Sequence, residues 1–365
     1  LADVWKETMD SQDRIVDVNM INDSATGVQK ISDGYEVSFV NSDSIVSDVI
    51  VLATGNESPG EPEILNKEFF NCKEYFPNPW SNEAVRNSDP DSNILIIGNG
   101  LTMVDTVIGL VDNGFRGKIF SISPNGFAML QHRHGGVVYK NLVDELKEPY
   151  DLKKIFELFK KHVRLVRQLG ISAEPVVDSI RGKSQSIWMS LPLEDKQKFM
   201  KYLRHLWGVA RHRIPGHVYD RILRLKLDGK LIIIKGRLTD INMTSEGIKV
   251  DYRNRKILKD ESIIVSRVIN CTGPFTDISR SKNPLIASMV ANGLIRPDLM
   301  RLGIDADFSF RVIGNDNEPS EEIYTLGGNL KGLLWESTAV PELRMQAENL
   351  ANALLQKKGE PEPVE

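Results

Sequence analysis

The chain has 365 residues, 26% of them charged, and a formal net charge of -4, so it is long enough for two domains and carries no whole-chain basic footprint for nucleic acid. Its two cysteines, Cys72 and Cys271, stand far apart, which excludes a Cys-x-x-Cys redox pair and a cysteine-rich zinc module and suits a reducing cytoplasm. No apolar run approaches the roughly 20 residues of a membrane helix, and no signal peptide opens the chain.

Leu1 begins the chain without a methionine, in what reads as the tail of a helix, so the natural start is expected upstream. From Ile15 to Gly55 the pattern is all strand. Val16–Ile21 alternates loosely, Asp33-Gly34 turns, and Tyr35-Val37-Phe39 alternates with Glu36, Ser38 and Val40. Asp48–Gly55 is a continuous apolar run closing on Thr54-Gly55, the pattern of a central parallel strand covered on both faces. The same order returns later. Leu231–Ile234 and Leu238–Met243 read as strands, Glu246-Gly247 as a turn and Ile248-Val250-Tyr252 as alternation. Ile263 then leads into an apolar strand closing on Thr272-Gly273. This is a repeat of architecture rather than of sequence.

Between the repeats, Ile94–Ile97 reads as a buried strand, Gly98-Asn99-Gly100 as a sharp turn, and Leu101, Val104, Val107, Ile108 and Val111 as one helix face. A second strand follows at 118–123. Strand, Gly-x-Gly turn and helix is how a dinucleotide-binding unit begins, because glycine admits a pyrophosphate close to the backbone and the helix start presents unpaired N–H groups. Met103 fills the third glycine position, and Ser123, Pro124 and Asn125 stand where a ribose-binding acid is expected, with no arginine at that strand end. NADH and NADPH both stay open. From Leu142 to Leu225 the pattern is helical, with Leu152, Ile155, Phe156 and Phe159 on one face and Phe199, Tyr202, Leu203, Leu206 and Val209 on another, between Pro192 and Pro215.

The last segment carries a strand, Ile323–Leu326, then Gly327-Gly328 and a helix entered through Pro341, with Ser337 or Thr338 as its cap. Its tail from Gly359 is expected to fray. A helix start here would favour negative charge on a flavin or phosphate. His132-Arg-His134 has no acid or cysteine near it and reads as a solvated loop. His205 and His212, with Arg204, Arg211 and Arg213, read as a basic helix face packing on acidic neighbours, with a cofactor phosphate or anionic substrate as the alternative. No catalytic triad, carboxylate pair or metal-ligand cluster stands out.

Together these stretches resemble the FAD/NAD(P)-binding oxidoreductase family of uncharacterised bacterial proteins, itself distantly similar to flavin-dependent monooxygenases and N-hydroxylases. The residues that carry the resemblance are Val49–Asn56, Asn78-Pro-Trp80, Ile96–Asp105, Val177–Arg181, Arg211-His-Arg213 and Leu333–Arg344. It implies an α/β fold with a nested pair of Rossmann-like, glutathione-reductase-like domains. An FAD domain from 1–92 and 271–365 would lack its first Gly-rich βαβ unit. An NAD(P) domain at 93–270 would carry a helical insert at about 142–225. It further implies an FAD-dependent oxidoreductase using NAD(P)H. Gly98, Gly100, Leu101, Thr102 and Asp105 would face the nicotinamide nucleotide, and Thr54, Gly55 and Asn56 the crossing between domains. Gly273 and Pro274 would stand opposite, with Gly327, Gly328 and Glu336 on the flavin side. The alternative is a non-catalytic nucleotide-binding or scaffold protein without an FAD pyrophosphate site.

Overall fold

A computed structural model describes residues 2–10, 17–132 and 137–358. Helix α1 (Ala2–Asp10) is followed by strands β1 (Ala25–Ile31), β2 (Gly34–Phe39), β3 (Ile45–Ser47) and β4 (Ile50–Leu52). Strand β5 (Tyr75–Phe76) and helix α2 (Asn82–Val85) lead into β6 (Ile94–Ile97), α3 (Leu101–Asp112) and β7 (Ile119–Ser123). The helical stretch runs from β8 (Leu130–Gln131) through α4 (Asn141–Glu145), α5 (Leu152–Gln168), α6 (Glu174–Ile180), α7 (Ser184–Ser190), α8 (Leu193–Lys198) and α9 (Arg204–Arg211) to β9 (Arg213–Ile214) and α10 (Gly216–Leu227). Then come β10 (Leu231–Thr244), β11 (Gly247–Asn254), β12 (Lys259–Val265), β13 (Arg267–Asn270), α11 (Pro284–Ala291), β14 (Arg311–Ile313), β15 (Pro319–Thr325), α12 (Lys331–Leu334) and α13 (Val340–Lys358).

The main sheet has seven strands in the order β12-β11-β10-β7-β6-β13-β5, and β10, β7, β6, β13 and β5 run parallel. All four residues of β6 are buried. Ile94 and Ile96 pack with Met103, Val104 and Val107 of α3, while Leu95 and Ile97 face a second cluster with Ile122 and Val268. Each such side chain contributes about 1.5–3 kcal/mol on burial, so the strand is anchored from both faces. The chain steps from β6 through β7 to β10 on one side, then returns as β13 on the other side of β6. The strand order therefore reverses between β6 and β13, and ligands of open α/β sheets bind at such a reversal.

A second unit joins β1-β2-β3 and β14-β15-β4 over a core of Val28, Tyr35, Leu52, Ile286, Met289 and Ile323. The helical stretch has its own core around Leu142, Val166, Val176 and Ile180, and Asp151 caps α5 by accepting from the Lys154 N–H at 2.8 Å. Tyr75–Phe76, outside the 93–270 division read from sequence, forms the edge strand of the seven-stranded sheet beside β13.

The structure corrects several local readings. Residues 17–22 form no strand, and Val18, Met20 and Ile21 are exposed; Ile15 and Val16 lie outside the described residues. The Asp48–Gly55 run yields the short β4, the edge of its three-stranded sheet among the described residues, with Leu52 buried and Val51 exposed. Leu231–Met243 is one strand with an irregularity between Leu238 and Asp240 rather than two. Ile263–Asn270 is two strands, because β12 closes a hairpin with β11 before Ser266 starts a new direction into β13. A π-helical turn at Phe199–Leu203 breaks the predicted helix face. The extra residue per turn shifts the phase, so Tyr202 and Leu206 are exposed while Trp207 turns inward. Helix α13 begins at Val340, so Ala339 stands before it, and Ser337 is buried with its hydroxyl unpartnered rather than capping. Gly359 and the tail, with Arg133 and His134, lie outside the described residues.

Candidate functional site

The Gly98-Asn99-Gly100 turn leaves β6 at the strand-order reversal. Gly98 has φ 113, and a side chain there would run into the Cys271 carbonyl of β13's end, so the turn and that strand lie in backbone contact. The Gly98 N–H donates to the Ile122 carbonyl at 2.8 Å, tying the turn to β7 as well. Gly100 is exposed, stands at the cap position of α3 without a side-chain cap, and would offer a Cβ nothing within 4 Å. No acid stands in the first turn of α3. The helix start is therefore open, uncapped and electropositive.

Asn99, between the two glycines, adds an observation the sequence did not single out. It is 8% exposed, its Oδ1 accepts from Ser121 Oγ at 2.5 Å, and its buried Nδ2 has no partner among the described residues. A buried amide N–H without a partner costs about 1–3 kcal/mol, so a ligand oxygen at this turn would relieve it. Leu101 and Asp105 are exposed on α3 and Thr102 is half-buried. Partial desolvation still raises the Asp105 carboxyl. Behind the turn, burial pushes the Cys271 thiol up to about 12, with Thr106 at 3.4 Å from its sulfur, so this cysteine is held neutral.

The two predicted Thr-Gly ends connect this turn to a second glycine cluster. Residues 58–60 and 270–275 run side by side, with Pro59 bridged to Pro274 and the Phe275 N–H donating to the Ser58 carbonyl at 3.2 Å. At one end Gly273 (φ 91) follows Thr272, whose hydroxyl donates to Asn270 Oδ1 at 2.7 Å. At the other end Gly55 (φ 73) and Asn56 touch Gly328. Ala53, Gly55, Asn56, Leu326, Gly327 and Gly328 line a groove of about 240 Å³ there. Two buried amides that sequence reading missed hold this end. Asn329 Nδ2 donates to Thr54 Oγ1 at 3.0 Å and Thr325 Oγ1 at 3.1 Å. The Gly327 N–H donates to Gln346 Oε1 at 2.8 Å, while Gln346 Nε2 donates to the Ser337 carbonyl at 3.0 Å. Gln346 sits nineteen positions from Gly327, on α13, where nothing local announces it.

Glu336 is a joint between this segment and the helical insert. Its carboxylate accepts from Trp207 Nε1 at 2.9 Å and Ser184 Oγ at 3.1 Å and pairs with Arg211 Nε at 3.6 Å, and its carbonyl accepts from Gln185 Nε2 at 2.5 Å. The preceding Trp335 has φ 59 and ψ -69, and the Glu336 N–H donates to the Leu334 carbonyl at 2.8 Å, which is a strained γ-turn. Ring contacts at 5.0 Å to Trp188 and 5.1 Å to Phe199 hold it there. Glu336→Ala is expected to lower stability by about 2–3 kcal/mol, the scale for losing hydrogen bonds to a buried charge. Chemical denaturation measures this, and a loss under half a kilocalorie would show that the joint carries no weight.

The basic residues divide. Arg213 is buried against Glu174 and Asp178, and Arg211 meets Glu336, as expected of a face packing on acids. Arg204, which is exposed, and Lys331, which is half-buried, have no acidic partner within 4 Å among the described residues, and desolvation lowers both, with Arg204 further lowering Lys331. His205 and His212 are exposed, yet partial desolvation, with Arg204 beside the first and Arg211 beside the second, lowers both. His132 is exposed, 3.7 Å from Glu174. No group of three or more metal-ligating side chains occurs among the described residues.

No family model matches the chain. Over 140 residues, 36% of this chain, it is 26% identical to an uncharacterized protein of Mycobacterium tuberculosis, and it spans 25% of that relative's length. Among solved structures it is similar to L-lysine 6-monooxygenase from Pseudomonas syringae, at 15% identity and TM-score 0.62 over 92% of this chain and 71% of that one. It is also similar to an ornithine N-hydroxylase of Kutzneria sp. 744, in a structure with reduced FAD, NADP+ and L-ornithine, at 13% identity and TM-score 0.58 over 92% and 72%. The likeness is one of fold: an α/β protein with a nested pair of Rossmann-like units.

Proposed function

We propose that the chain is an FAD-dependent oxidoreductase that takes hydride from NAD(P)H. The observation that carries this is the open helix start at the strand-order reversal, with the unpartnered Asn99 amide in its turn, joined by paired linkers to a second glycine-lined groove. Gly98 shapes the turn, Gly100, Leu101 and Thr102 offer backbone to the pyrophosphate of the nicotinamide nucleotide, Asn99 donates to it, and Asp105 stands at its rim. Thr54, Gly55 and Asn56 line the crossing, Gly273 and Pro274 stand opposite, and Gly327 and Gly328 face the flavin. Glu336 keeps the helical insert docked beside that groove. A bound flavin would supply the redox chemistry between the nicotinamide and a small-molecule acceptor. The division into 1–92 with 271–365 and 93–270, with Tyr75–Phe76 lent to the sheet of the second, belongs to this reading, as does a reducing cytoplasmic setting for two free cysteines.

The groove, at about 240 Å³, is smaller than the roughly 300–1,000 Å³ of an ordinary ligand pocket. That favours a second reading, a nucleotide-binding protein without flavin catalysis. Adding FAD to the purified protein separates the two. The first reading expects a yellow, retained flavin bleached by NAD(P)H without oxygen. A protein that stays colourless yet binds the nicotinamide nucleotide supports the second and sinks the first.

A further inference from the structure

Dinucleotide-binding units read the ribose 2′ position at the end of their second strand, where a carboxylate selects a hydroxyl and a cation admits a phosphate. Here that strand is β7, and Ser123-Pro124-Asn125 at its end offers neither. The fold brings both cations from elsewhere. Lys235 of β10 stands directly beside Ser123 in the parallel register. Arg255 begins the turn after β11, its N–H donates to the Lys235 carbonyl at 2.8 Å, and its Nη1 donates to the Pro124 carbonyl at 2.9 Å.

Gly236 makes this approach possible, since a Cβ there would stand only 3.1 Å from Ile122 and from Tyr252. The Ser123 hydroxyl accepts from the Gly126 N–H at 3.1 Å and keeps its own proton to donate. The hairpin's carboxylates at this end are both taken up, Glu261 by Tyr252 at 3.0 Å and Asn254 at 2.6 Å and Asp260 by Arg253 at 3.2 Å. Neither Lys235 nor Arg255 has an acidic partner within 4 Å among the described residues. The Gly98 N–H bond to Ile122 sets the pyrophosphate turn one residue from Ser123.

We infer that Lys235, Arg255 and Ser123 form a 2′-phosphate site, which makes the dinucleotide held at Gly98–Gly100 NADP(H); this rests on the cofactor reading above. The full chain is titrated calorimetrically with NADP+ and with NAD+, and the Lys235→Ala/Arg255→Ala double variant likewise. Each charge-assisted contact is expected to contribute about tenfold in affinity. The wild type should prefer NADP+ by at least about tenfold, more at low salt, and the double variant should bind the two alike through loss of NADP+ affinity alone. Equal affinities in the wild type, or a preference that survives the double substitution, overturn the 2′-phosphate site and leave the Gly98–Gly100 cradle standing. Binding of neither nucleotide by the folded wild type overturns the cradle and this site together.

Discussion

Gly100→Asp is expected to abolish NAD(P)H binding while leaving the melting temperature unchanged. Gly100 has φ -84 and ψ -165, extended backbone that any residue adopts, and a Cβ there meets nothing within 4 Å. An aspartate at a helix cap position is favourable for the helix itself. Its carboxylate would nevertheless occupy the place where the helix start meets the pyrophosphate. Two unit charges 4 Å apart repel by about 1 kcal/mol in water and about 4 kcal/mol at the effective dielectric of a protein surface. For each unit charge of the pyrophosphate that range corresponds to a loss of about fivefold to about a thousandfold in affinity. Titration of the nucleotide and a thermal melt of the same preparation read the two effects apart. Unchanged affinity would remove α3's start from the site.

Gly98→Ala should do the opposite and damage the fold. The position is only two residues earlier, but its φ of 113 lies where side chains rarely go, and the added carbon would enter the Cys271 carbonyl. A left-handed backbone costs about 1–3 kcal/mol for a non-glycine residue, and overpacking against backbone costs about the same again. Neither can relax cheaply, because β6 and β13 are adjacent strands of the central sheet in register from Ile94 to Ile97. We expect a loss of about 3–5 kcal/mol in unfolding free energy by denaturant titration. An alanine variant as stable as the wild type would contradict the backbone contact. The pair also separates two jobs that one motif combines, since Gly98 closes the sheet and Gly100 leaves room for a ligand.

Much of the candidate site was legible because it is local. The apolar run Ile94–Ile97, the glycine turn and the helical spacing after it are near neighbours in the chain, and each has a direct steric or periodic meaning. The two Thr-Gly ends were legible for the same reason, and the structure joins both to the linkers. The groups that brace the site were not. Asn329 reaches Thr54 across 275 positions and Asn270 reaches Tyr75 across 195. A lone asparagine at a strand end or in a short helical turn carries no signal of its own. The second helix face failed at Phe199–Leu203 because periodicity assumes a constant turn, and the π-helical residue breaks it.

The sequence by itself determined that a βαβ unit with an open glycine turn exists here and where it lies. Backbone sterics and the two hydrophobic periods act within a few residues. It also determined the second glycine segment and the helical insert. Only the tertiary structure decided that β4 is an edge strand, that Glu336 joins two parts of the molecule, and that the end of β7 carries cations. The last of these depends on Arg255 reaching Pro124 across 131 positions. Such contacts depend on strand order and register, which are set by how whole faces bury against one another rather than by the residues that end up touching.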